Sequence, residues 1–211
     1  MDSRKTAWIW TGLVLTAGVG LVLAASSSSR AQPSQPLPAG PSAAPPPQPL
    51  PPPQGPRVPA GSRVLLVGDS LAVGLTAPLK QLVVGSGSSL QAQAKEGTTI
   101  LAWASKDYPA CDVALVSLGT NDMKMSDPLS ERPKLDRMLA TLRARAARVV
   151  WILPPPMPFP DRGVLAMIRD AAAKAGVEVL VSPDVPRSPD KIHPTAAGYA
   201  GWAGLIWRAI N

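Results

Sequence analysis

The chain has 211 residues, 26 of them proline, and a formal charge of +7. Thirteen prolines fall between residues 31 and 60, so the whole length cannot fold as one globule; residues 61 to 211 hold 17 Lys and Arg against 13 Asp and Glu, too small an excess to point to a polyanionic partner. Cys111 is the only cysteine, which excludes an intramolecular disulfide, and with a single histidine it leaves no zinc cluster.

Residues 1–30 open with Arg4 and Lys5, followed by an uncharged apolar run from Ala7 to Ala25 that begins with Trp8 and Trp10, suited to the headgroup belt. A spanning helix needs about 20 residues and a secretory core only about 7 to 15, so the expectation is an uncleaved signal anchor crossing the membrane. The alternative is a signal peptide cleaved at Ser29-Arg30-Ala31, which releases a secreted protein. Either way the flanking cations place the remaining chain outside the cytoplasm, in a periplasmic or other extracytoplasmic space. Residues 31–60 are too poor in large apolar side chains and too rich in proline to form a core, and are expected to be a disordered linker. As polyproline II, roughly thirty residues at about 3.1 Å each reach about 90 Å. A ligand for an SH3-like partner is the other reading of this segment.

From Gly61 onward, short apolar runs alternate with helical patterns. Strands are expected at Arg63–Val67, Leu90–Ala94, Val113–Leu118, Val149–Leu153 and Val177–Val181. Helices are expected at Leu71–Val83, Thr98–Lys106, Leu129–Ala146, Arg162–Ala175 and Thr195–Ile210. Runs such as Val64-Leu65-Leu66-Val67 are apolar on both faces, as in a parallel sheet covered by helices on each side. The expected fold is α/β, a three-layer α/β/α flavodoxin-like domain over residues 61–211 with a five-stranded parallel sheet. Arg132, Lys134, Arg137, Arg143, Arg145 and Arg148 cluster about one predicted helix without interleaved aromatics, which reads as a solvated face and argues against nucleic acid.

Ligands in such sheets bind beyond the carboxyl ends of the strands, and the polar motifs gather there. Ser70, in Gly68-Asp69-Ser70, follows the first strand and starts a helix, although Gly-Asp-Ser is also ordinary turn and cap chemistry. His193 is the only histidine and so the natural candidate for a base, with a loop histidine bonded to a neighbour as the structural alternative. Asp190, three residues upstream, is near enough to orient the ring and leave its other nitrogen for Ser70. Asn121 follows the third strand and is either an amide donor for an oxyanion or a helix cap. Gly97, after the second strand, offers a backbone N–H or merely a turn. With the Ser70 N–H these would complete a three-donor oxyanion hole.

Gly68-Asp69-Ser70-Leu71, Gly97, Gly119-Thr120-Asn121-Asp122 and Asp190 with Ile192-His193-Pro194 resemble the four blocks of the SGNH, or GDSL-type, hydrolases, in order and over essentially all of residues 61–211. The resemblance implies a serine esterase working through an acyl-enzyme, with Ser70, Asp190 and His193 as triad, Ser70, Gly97 and Asn121 as oxyanion hole, and neither metal nor cofactor. There is no Gly-x-Ser-x-Gly elbow of the α/β-hydrolase kind. The stiff apolar run Pro154–Pro160 either lines an acyl pocket or only connects elements. Short connections leave little material for a lid, so the expected substrate is a short-chain, O-acetyl ester on envelope or extracellular polysaccharide, or another small ester. Competing readings are a lysophospholipase- or thioesterase-type lipid esterase, an O-acetyltransferase fed by a membrane acyl-donor protein, and a catalytically silent envelope-binding module.

Overall fold

Backbone polar groups in strands as apolar as Val64–Val67 must pair laterally, while the side chains seek cover on both faces. The computed structural model, which describes residues 57–211, shows how this is met. Five parallel strands, β1 (Arg63–Gly68), β2 (Ser89–Ala94), β3 (Cys111–Ser117), β4 (Ala146–Ile152) and β5 (Glu178–Leu180), form one sheet in the order β2-β1-β3-β4-β5. Helices α1 (Ser70–Gly85), α2 (Arg132–Arg145), α3 (Val164–Ala175) and α4 (Ala196–Ile210) cover it.

The period of two along each strand sorts the core into two halves. Val64, Leu66, Val113, Leu115, Val150 and Ile152 pack with Leu75 and Leu79 of α1 and Trp202 and Ile206 of α4. Their neighbours Leu65, Val67, Ala114, Val116, Val149 and Trp151 pack with Leu135, Leu139 and Leu142 of α2 and Ile168 of α3. The result is the expected three-layer α/β/α arrangement, with β2 and β5 at the edges.

Two expected helices differ. The helix expected at Thr98–Lys106 is a single 3-10 turn, Ile100–Ala102. Side chains take over its backbone groups: the Asp122 carboxylate accepts from the Ile100 N–H at 3.1 Å, and the Tyr108 hydroxyl donates to the Trp103 carbonyl at 2.6 Å. The helix expected at Leu129–Ala146 is divided into a 3-10 turn, Pro128–Glu131, and α2, because Pro133 has no N–H and suits only the first turn of a helix. Ala146 is already extended at φ −124°, so α2 passes into β4 without a connecting loop.

The packed body reaches back beyond Gly61. Val58 is buried with the α1/α4 half of the core, and the Pro59 carbonyl accepts from the Ser62 hydroxyl at 2.6 Å. The apolar run at Ala7–Ala25 and the proline-rich segment as far as residue 56 lie outside the described residues. Among the described residues no helix is long and apolar enough to cross a membrane.

Candidate active site

β1 ends at Gly68, and Asp69 caps α1 by accepting from the Leu71 N–H at 2.9 Å. Ser70 is thereby the first residue of α1, where its own N–H has no acceptor within the helix. Facing it is the turn Asp190–His193, followed by Pro194 and by Thr195, whose hydroxyl caps α4 by accepting from the Gly198 N–H at 3.0 Å. His193 Nε2 lies 2.9 Å from Ser70 Oγ, and His193 Nδ1 lies 2.6 Å from Asp190 Oδ2.

The other oxygen of Asp190 accepts from the N–H groups of Ile192 and His193, at 2.9 and 3.0 Å. The bond from the His193 ring, followed by these two backbone bonds, holds the carboxyl down at about 2. Asp190 is therefore a pure acceptor at neutral pH. Nδ1 of a neutral His193 must carry the ring proton, which leaves the Nε2 lone pair facing the Ser70 hydroxyl.

The loops after β2 and β3 complete a cleft of about 620 Å³ lined by Ser70, Val73, Gly74, Glu96, Gly97, Thr120, Asn121, Lys124, Ile192, His193 and Tyr199. Asn121 Nδ2 donates to the Thr98 carbonyl at 2.9 Å, which ties these two loops together and leaves the amide a second N–H. Gly97 sits at φ +70° in the turn where the Thr98 hydroxyl reaches the Lys95 carbonyl, a conformation that favours glycine. All five residues singled out in the sequence thus border one cleft or its hydrogen-bonded rim. The Pro154–Pro160 run acts as a connection: Met157 and Phe159 pack against the core, and the run approaches the cleft through Phe159, whose ring lies 5.2 Å from Lys124 Nζ. Cys111 is a buried free thiol whose pKa is raised by burial. Among the described residues no group of three or more His, Cys, Asp or Glu side chains is placed to hold a metal ion.

Three features were not singled out in the sequence. Asp69 is fully buried with Oδ2 unpartnered, and burial raises its carboxyl to about 7 against the partial relief of the Leu71 N–H. Asp122, also fully buried, is raised to about 6 by the same cause. Tyr199 lines the cleft, and burial pushes its phenol up to about 12. Its ring occupies the notch left by Gly74, one helical turn beyond Ser70, where any Cβ would overlap it.

A parallel sheet in this order, with a serine, a histidine and an aspartate hydrogen-bonded in series at its carboxyl edge, defines a serine hydrolase. The chain belongs to the GDSL-like lipase/acylhydrolase family, whose model matches residues 66–200, and is a serine ester hydrolase of the SGNH kind. Solved structures with the same fold include an α/β hydrolase enzyme from the metagenome of Lake Arreo, Spain, at 19% identity and TM-score 0.55, covering 73% of this chain and 98% of that one. The inhibitor-bound aryl esterase of M. smegmatis matches at 18% identity and TM-score 0.53, covering 69% and 96%. A family two carbohydrate esterase from Cellvibrio japonicus matches at 16% identity and TM-score 0.56, covering 71% and 60%. No curated protein matches the chain.

Native Asp69 keeps its proton to about pH 7, whereas the unfolded chain loses it near the ordinary 3.8, so this group costs stability progressively as pH rises through that window. Asp69→Asn, which keeps a cap acceptor and cannot ionise, gains on the order of 1–3 kcal/mol relative to wild type between pH 4 and pH 8 in urea titrations; parallel curves would contradict this. Gly74→Ala loses about 1–3 kcal/mol, although alanine favours a helix interior by roughly 1 kcal/mol. Adding Tyr199→Ala to it removes the overlap, so a double-mutant cycle shows strong coupling between the two positions.

Proposed function

We propose that this protein is an exported esterase that hydrolyses short-chain, chiefly O-acetyl, esters of envelope or extracellular polysaccharide. The unbroken series from Asp190 through His193 to Ser70 carries this reading. In it His193 Nε2 takes the hydroxyl proton as Ser70 Oγ attacks the ester carbonyl. The carbonyl oxygen gains charge beside the N-terminus of α1, where the Ser70 N–H, the Gly97 N–H and the second amide N–H of Asn121 act as donors. His193 then protonates the leaving alcohol, and in the second half-reaction takes a proton from the water that attacks the acyl carbonyl. Release of the acid restores the Ser70 hydroxyl.

The cleft supports a small acyl group on a hydroxylated alcohol. Val73, Gly74, Ile192 and Tyr199 supply apolar surface, whereas Glu96 and Lys124 supply an acceptor and a donor suited to sugar hydroxyls. Residues 1–60 support export and tethering through their apolar run and proline content, with the catalytic domain outside the cytoplasm.

The test is acetate release by the full chain from O-acetylated peptidoglycan or exopolysaccharide, alongside a p-nitrophenyl acyl series. Acetyl esters should be cleaved fastest; a preference for long-chain esters or thioesters overturns the substrate assignment, and acetyl transfer to glycan faster than hydrolysis identifies a transferase. Ser70→Ala should lower kcat by about 10⁴-fold or more. Asp190→Asn should lower it by roughly 10³–10⁴-fold, because an amide N–H facing Nδ1 selects the wrong tautomer.

A further inference from the structure

The turn that carries Asp190 and His193 has little packing to hold it. Their side chains are 45% and 40% exposed, and Lys191 between them is in the left-handed region at φ 59°. Across the base of the turn the Ser188 N–H donates to the His193 carbonyl at 2.8 Å, and the Thr195 N–H to the Pro186 carbonyl at 2.9 Å. These bonds shape a hairpin but attach it to nothing outside itself.

The attachment comes from Arg187, whose side chain is 13% exposed. Its Nη1 donates to the carbonyls of Lys191 and Ile192, at 3.3 and 3.0 Å, the two peptide groups immediately before His193. Its Nη2 donates at 2.5 Å to the carbonyl of Pro156, in the stiff proline run after β4. Asp184 Oδ1 lies 3.4 Å from both Nε and Nη2 and balances the charge, and Met157 Sδ lies 3.8 Å from Nη1. One planar guanidinium therefore spans the turn and a rigid loop some thirty residues away in sequence, a set of directions that a lysine ammonium cannot reproduce.

We propose that Arg187 is a positioning residue for the reaction: it fastens the Asp190–His193 turn to the loop after β4 and so fixes the His193 ring toward Ser70. This rests on His193 acting as the base. Displacement of a reacting group by about 1 Å costs on the order of 100-fold in rate, so an exposed turn that carries the base needs such an anchor.

Because His193 is the only histidine, its ring gives a single, unambiguous set of ¹⁵N-histidine NMR signals in the full chain. Arg187→Ala should lower kcat for p-nitrophenyl acetate by about 10- to 100-fold with KM nearly unchanged. The hydrogen-bonded Nδ1–H resonance should broaden or vanish in this variant but persist in Ser70→Ala. Added ethylguanidinium should restore part of the rate. Arg187→Lys, which retains the charge beside Asp184, should fold as wild type yet remain impaired, and this keeps the proposal testable if the alanine variant unfolds. A wild-type kcat in either variant, or a reduced kcat with an unaltered Nδ1–H signal, overturns the proposal. His193→Ala separates the two levels: if it stays active, the triad reading itself fails, whereas if it is inactive while Arg187→Ala is fully active, only the anchor fails.

Discussion

Parallel strands can be joined only by crossovers that return the chain to the edge it started from, so all strands finish at one edge and all covering helices begin there. In the order β2-β1-β3-β4-β5 the chain leaves β1 toward β2 and leaves β3 toward β4, so the two connections part and open a crevice between them. Ser70 follows β1, Gly97 follows β2, Asn121 follows β3, and the Asp190–His193 turn introduces α4. Ser70 and His193 are 123 residues apart, yet 2.9 Å separates their reacting atoms. The two-sided apolar burial that favours the sheet is also what holds these groups in register.

Around that crevice one residue type serves opposite ends. Asp190 is exposed and receives three hydrogen bonds, so it stays ionised and fixes the tautomer of its neighbour. Asp69 and Asp122 are buried with fewer donors and are pushed toward neutrality. Asp190 is thus the one of the three carboxyls that faces Nδ1 and is held well below the usual carboxylate range, while Asp69 and Asp122 serve the backbone as acceptors for Leu71 and Ile100.

The layered fold was legible because its signals are local and repeated: runs apolar at every position, turn residues between them, and Gly-Asp-Ser, Asn121 and His193 each placed after a different strand. The short 3-10 turn at Ile100–Ala102 was not, because the groups that capture its backbone include Asp122, which comes from the next connection. Pro133 is a signal in the sequence for the division before α2, set within a helical pattern that continues on either side of it. Tyr199 could have been suspected from Gly74 lying one turn beyond Ser70 on the same helix face. Arg187 could not, since its partners at Pro156 and Ile192 are brought together only when the loop after β4 and the turn before α4 close on one another.

The exposure of the Asp190–His193 pair bears on the fate of an acyl group once it is attached to Ser70. A base whose flank is open to solvent is continually supplied with nucleophile, so in the proposed reaction the covalent intermediate is short-lived and partitions toward the free acid. Diverting it to another alcohol would require an acceptor large enough to cover the imidazole and expel the surrounding water as it docks. In the proposed reaction the openness of the turn thus favours water as the acyl acceptor, and Arg187 holds by bonds what burial would otherwise hold by packing.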